Sequence, residues 1–348
     1  MIAWPRPRYR EALRAVLRAS SYAELGLLNT RRVVREPGPA VVEEVSEWHV
    51  QEVLGAADLL HRRHHLHGGW SMRSAALAQL DSATRLLRTD VPRTVLRPLR
   101  GAVAHLAHTC GFMHFDTGDH DEARRCLRYA LHLADLAGDR QSRAFVLSSL
   151  SRLATWTGRH GDGLAHAEQA LLRPDGLTAV ELAMVHAARA KALAALGRVD
   201  EAIDELKTAD DRFARADPTT APPWMAFYGL AQHCGDTAEA FAHLDAHGHR
   251  SGEVRARFAV AHRDQGPAYS RSRALAHTRF AAAVLAEGDP VEGALLGQAA
   301  VAAAGGLRSA RLDDTLRALH RQAARHGDVR EARELRDQVE HRVGCPGS

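Results

Sequence analysis

Between Gly101 and Asp139 the small and apolar residues fall at helical spacing on two successive faces. Ala104, Ala107, Cys110, Gly111 and His114 share one side of a first helix, and Ala123, Leu127, Ala130 and Leu131 line the inner side of a second. Gly118 separates them, because glycine accepts the left-handed backbone that ends a helix. Asp119 then supplies an N-cap oxygen, and Glu122, three residues on, reaches back toward the cap. Two such helices cannot bury their apolar faces alone, so the pattern predicts further pairs stacked beside them.

The glycine-acid signature recurs. Gly158-Arg159-His160-Gly161-Asp162 is a loose copy, followed by copies beginning at Gly197, Gly235, Gly288 and Gly327. From Gly118 onward the intervals are 40, 39, 38, 53 and 39 residues. A near-fixed period of this size marks an α-solenoid. The glycine, capping acid and following alanine resemble tetratricopeptide repeats, with helices about one turn longer than in the usual ~34-residue unit. The expected fold is therefore all-α: a solenoid of stacked antiparallel helix pairs, right-handed if it follows the tetratricopeptide type. Pairs are expected near 99–137, 139–172, 178–216, 222–264, 268–304 and 308–342, after an atypical first pair at 41–66 and 71–87 joined through Gly68-Gly69; the 222–264 pair is the least regular, because Gly229, Gly235 and Gly248 offer competing stops. Residues 1–38 read as a basic helix and linker, 39–343 as the repeat domain and 344–348 as a disordered tail.

Composition agrees with a globular helical chain: 45% hydrophobic and 25% charged residues, with no apolar run of the ~18 residues that span a membrane. The start, MIAWPRPRYR, lacks the apolar stretch of a signal peptide, so a cytoplasmic location is expected. Cys110, Cys126, Cys234 and Cys345 show no CxxC spacing and read as free thiols, although Cys110 and Cys126 sit on facing helices. The net charge of +4 is too small for a nucleic-acid footprint. Eight arginines between Arg6 and Arg35 form either an arm for an acidic partner or, more plainly, a solvated helix face.

Several stretches resemble the C-terminal half of the helix-turn-helix plus tetratricopeptide transcriptional regulators of actinomycetes. They are YREALRAVLRASSYAELGL (9–27), AHLAHTCGFMHFDTGDHDEARRCLRYALHLA (104–134), PPWMAFYGLAQ (222–232) and YSRSRALAHTRFAAAVLAEGD (269–289). In that family the first of these follows the DNA-binding domain directly, so the reading helices would lie before Met1. The resemblance implies a regulatory, sensor-like solenoid, with direct DNA binding not expected without an additional domain.

Candidate chemistry is sparse. No HExxH, GxSxG, phosphate loop or GxGxxG occurs. His61, His64 and His65 stand at i, i+3, i+4 among 22 histidines and are a candidate metal set; the plainer account is a cationic helix end. His114, Asp116, Asp119, His120 and Asp121 could pass for a cation loop, but a turn and a cap explain them better. No cofactor is called for.

Placing the first helix of each pair on the concave side puts His105, His108, Phe112, Phe115 and Asp116 in a groove. Arg152 and Trp156 join them, then Lys191, then Met225 and Tyr228. Phe145 and Trp224 fit either the groove or the core between repeats. The expected occupant is a small molecule or a protein or peptide partner. A peptide clamped along its backbone by asparagine carboxamides is disfavoured, because the only asparagine is Asn29. The leading expectation is thus a non-enzymatic regulatory or scaffold protein. Its alternatives are a regulator without its DNA-binding domain, and an enzyme or metal protein built on His105, His108 and Asp116. Exposed end repeats permit a homodimer.

Overall fold

The computed structural model describes residues 44–344 except 71 and 218. The basic helix and linker expected over 1–38, and Cys345 with the rest of the tail past Gly344, lie outside the described residues. From Val45 the chain forms one compact unit.

Among the described residues there are fourteen α-helices and no strand, arranged as seven antiparallel pairs. They are α1 (Glu47–His67) with α2 (Arg73–Leu86), α3 (Arg93–Asp116) with α4 (His120–Ala137), and α5 (Arg140–Trp156) with α6 (His160–Leu171). Then come α7 (Ala179–Ala195) with α8 (Val199–Ala214), α9 (Leu230–Ala246) with α10 (Glu253–Asp264), α11 (Ser270–Glu287) with α12 (Pro290–Ala304), and α13 (Ala310–Ala323) with α14 (Arg330–Val343). This is the all-α, solenoid-like stack that the periodicity predicts. No helix among the described residues is long and apolar enough to cross a membrane.

The local signals act as their chemistry requires. Asp119 and Asp289 each cap a helix by accepting the backbone N–H of Glu122 and Glu292, at 3.3 and 3.0 Å. Glu122 does not reach back to its cap; its carboxylate takes Arg125 and the Cys126 thiol instead. Pro290 opens α12, where its missing N–H costs nothing. Packing follows from residue size. A Cβ at Gly111 would stand 2.8 Å from Leu127, so the absent side chain is what lets α3 settle onto α4. Cys110, Cys126 and Cys234 are free and buried; Cys110 donates to the Ala76 carbonyl oxygen at 3.3 Å.

One repeat boundary differs from expectation. Gly235 is not a stop but lies inside α9, which is followed by the left-handed Gly248, at φ 88°. Continuing the helix through Gly235 keeps Asp236 and Glu239 on its inner face, where they meet buried cations; a turn there would have sent them to solvent. With Gly248 as the stop, the irregular interval falls before α9. It is occupied by a loop containing a short 3₁₀ turn, Pro223–Phe227.

The stack also curls until its ends meet. Besides its own neighbours, α1 packs against α11, and α3 touches α13. The junction is close. The Arg308 N–H donates to the His67 carbonyl at 3.5 Å, and Gly68 is left-handed at φ 83°. A side chain at Gly68 would run into the Arg308 carbonyl, and one at Gly69 would stand 2.6 Å from that of Met113. Two glycines that read as a simple turn are thus also the place where first and last repeats join.

Candidate functional site: an enclosed, arginine-lined centre

Curling narrows the open groove into a partly enclosed pocket. At its heart is a cavity of about 60 Å³, lined from α1, α3, α5, α7, α9, α10, α11 and α13, from the 3₁₀ turn before α9 and from Gln265 just after α10. One wall is apolar and aromatic: Phe112, Phe145, Phe227 and Met184. A second carries neutral polar groups. His108 lies 2.8 Å through Nε2 from the Ser149 hydroxyl and packs at a tilt against Phe145, with ring centroids 4.0 Å apart. Gln232 and Gln265 complete that side. The third wall is basic, formed by Arg152, Arg271, Arg279 and Arg311.

The acids that answer these arginines are named easily. Asp236 accepts from Arg152 at 2.6 Å. Glu239 pairs with Arg279 and also with Lys191. Asp116, fully buried, accepts from Arg271 at 3.3 Å, from the Ser309 hydroxyl at 2.8 Å and from the Gly69 N–H at 3.2 Å. His64 approaches its other side at 3.5 Å. Burial works against the Asp116 carboxylate, but Arg271 and His64 more than offset it and hold its pKa below the usual carboxylate range. Asp116 therefore clasps three separated stretches of chain: the α1–α2 turn, the start of α11 and the start of α13.

Arg311 has no such answer. Only 4% exposed, it forms neither an ion pair nor a side-chain hydrogen bond with any described residue, and its Nε is buried without a partner. Its guanidinium lies over Phe115 at 4.4 Å, Trp156 at 5.0 Å and Phe112 at 5.9 Å, so ring faces supply what attraction it has. Burial, with Arg271 nearby, pushes its pKa well below the ordinary arginine value. Burial and the neighbouring Arg152 bring Arg279 down to about 10. The imidazoles do not share this charge. Burial holds His61 at about 3, and holds His65 and His108 well below their ordinary value, so at neutral pH all three are uncharged.

The predicted groove residues separate into groups. His108, Phe112 and Arg152 come together in the cavity. Trp156 and Lys191 instead line an open cleft of about 560 Å³ on the far side of Glu239 and Arg279. Burial, then Arg279 and Arg152, pushes the Lys191 amine well below its usual value. His105 faces a separate open cleft, with Asp58 at 3.8 Å and Trp224 beside it. Phe115, Met225 and Tyr228 are buried packing residues that line none of these spaces, and Asp116 is turned to the seam. His105, His108 and Asp116 accordingly do not form one acid–base centre. Nor does His108 with Ser149 resemble a nucleophile and base, because no described group meets His108 Nδ1 to orient the ring.

The candidate metal set behaves similarly. His61 and His65 turn to each other, Nε2 to Nε2 at 3.1 Å, and line the cavity, while His64 faces Asp116. No three ligating side chains converge among the described residues. The cation-loop alternative at His114–Asp121 resolves into a cap, with Asp119 also meeting His114 Nδ1 at 3.3 Å.

Sequence reasoning missed Arg271, Arg279 and Arg311, because it followed the groove only as far as the fourth repeat. A signal was present. On α11, Arg271 and Arg279 stand two turns apart in line with Leu275, arginines on what is otherwise an apolar face.

No family model matches the chain, and no curated protein matches it. Solved structures that match include BtubC (BKLC) from P. vanneervenii, 16% identical, covering 80% of this chain and 93% of that chain, with a TM-score of 0.34.

Proposed function

We propose that this chain is a non-enzymatic regulatory or scaffold solenoid that holds one compact ligand in its enclosed centre. The observation that carries the reading is convergence: helices distant in sequence place aromatic, amide and basic side chains around a single cavity, the usual composition of a ligand pocket. An extended peptide fits poorly, since the central cavity is only about 60 Å³. The likeness of several stretches to the sensor half of helix-turn-helix regulators supports a signalling role, in which occupancy of the centre is felt at the seam through Arg271, which borders both.

Native mass spectrometry of the gently purified protein tests this reading. One small-molecule adduct per chain, lost on denaturation and lost in Phe145→Trp, which fills the cavity, is the expected result. A chain that carries nothing and gains no thermal stability from any member of a metabolite panel contradicts it.

A further inference from the structure

We propose that the centre is an oxyanion site: it takes a small molecule bearing one phosphate or carboxylate group, gripped by the Arg311 guanidinium together with Arg271, with any apolar remainder against Phe145, Phe227 and Met184. The proposal deepens the ligand-binding reading above and rests on it.

Four arginines border the cavity. Asp236 answers Arg152, Glu239 answers Arg279 while also serving Lys191, and Asp116 answers Arg271. Among the described residues that leaves Arg311 without an acid. Asp116 is the carboxylate that acts on it electrostatically, and its oxygens are already engaged by Arg271, Ser309 and Gly69. A guanidinium does not escape burial by giving up its proton at neutral pH. An uncompensated buried charge is among the costliest features a fold can hold. The stacked rings recover part of that cost, but a ring face accepts no N–H. What is missing is an acceptor with negative charge and more than one oxygen, which matches the planar fork of arginine. Size narrows the choice. The cavity, about 60 Å³ and partly open, suits a phosphate or a short carboxylic acid. A cation is unsuited to a basic wall, and the neutral imidazoles of His61, His65 and His108 leave that wall uncancelled while offering additional donors.

Thermal unfolding and titration calorimetry of the full chain test the proposal, with sodium phosphate, sodium succinate and, at matched ionic strength, sodium chloride. Phosphate or succinate should bind once per chain and raise Tm by about 2 °C at ten times Kd, with chloride inert. Arg311→Met should abolish the response while leaving the Tm without anion unchanged or higher, which a merely structural arginine would not do. Arg311→Lys keeps the charge without the fork, and should retain a response weakened at least tenfold. It also serves if the methionine variant does not fold. A response to phosphate alone or to succinate alone supports the proposal and identifies the group. An equal response in wild type and both variants means an adventitious ion only and overturns it. Absence of any oxyanion response overturns it too. If native mass spectrometry then finds an uncharged ligand displaced by Phe145→Trp, the ligand-binding reading survives; if it finds none, both fall.

Discussion

Asp116 and Arg311 are both charged and both almost wholly buried, yet their surroundings are opposite. Asp116 receives Arg271, Ser309, the Gly69 amide and His64, so its charge is spent in tying the first repeats to the last. Arg311 meets ring faces and the cavity, with no acid of its own among the described residues. The difference teaches how to tell a charge that holds a fold together from one that waits for something. Burial alone does not separate them; the count of filled partner positions does.

Removing each charge should therefore have opposite consequences. Asp116→Ala leaves Arg271 buried without an acid and opens the seam, so it should cost about 3 to 5 kcal/mol in urea unfolding. Gly68→Ala attacks the same seam through the backbone. It forces a side chain into a left-handed position against the Arg308 carbonyl, and should cost about 1 to 3 kcal/mol. Amide exchange should then quicken around Gly69 and Ser309 but not in α7 and α8. Arg311→Met, without added oxyanion, should cost nothing measurable or raise stability. At the far end of the scale, Lys207→Ala removes an exposed pair with Asp204 and should stay within about 0.5 kcal/mol.

Acid should act through the buried histidines, those of the centre among them, before it acts through Asp116. A base whose pKa is lowered by folding is neutral in the native chain and takes up its proton only on unfolding. His61, His65 and His108 therefore cost stability as pH falls below about 6.5, where the unfolded chain binds protons that the folded chain refuses. Each adds up to about 1.4 kcal/mol per pH unit below that point. Asp116, whose folded pKa is depressed, adds its own loss only as the pH falls below about 4, through the unfolded and then the folded carboxylate range. Urea midpoints measured from pH 7 to pH 5 should fall steadily, and the fall should be shallower in His108→Phe.

Much of the fold was legible in residue spacing, because a helix pair announces itself locally. Gly118 and Gly158 mark ends, Asp119 and Asp289 mark starts, and Leu127 opposite Gly111 marks a close face. Gly235 misled for a physical reason: a glycine followed by an acid signals a turn, unless that acid has a buried cation to meet, and Asp236 has Arg152. The centre was less legible still. His108, Phe112 and Arg152 fall on one strip of inner face. Arg311 joins them only because small rotations between successive pairs add up to closure, and no residue spacing states their sum.

The most direct test of that closure is a double-mutant cycle across the seam, combining Asp116→Ala on α3 with Arg271→Met on α11. The two residues are 155 positions apart in sequence and 3.3 Å apart in the fold. The predicted result is a coupling energy of about 1 to 3 kcal/mol, each substitution costing far less once the other is present. Strictly additive effects would mean that the second and sixth pairs do not meet across the seam, and that the ring of helices around the centre is not closed.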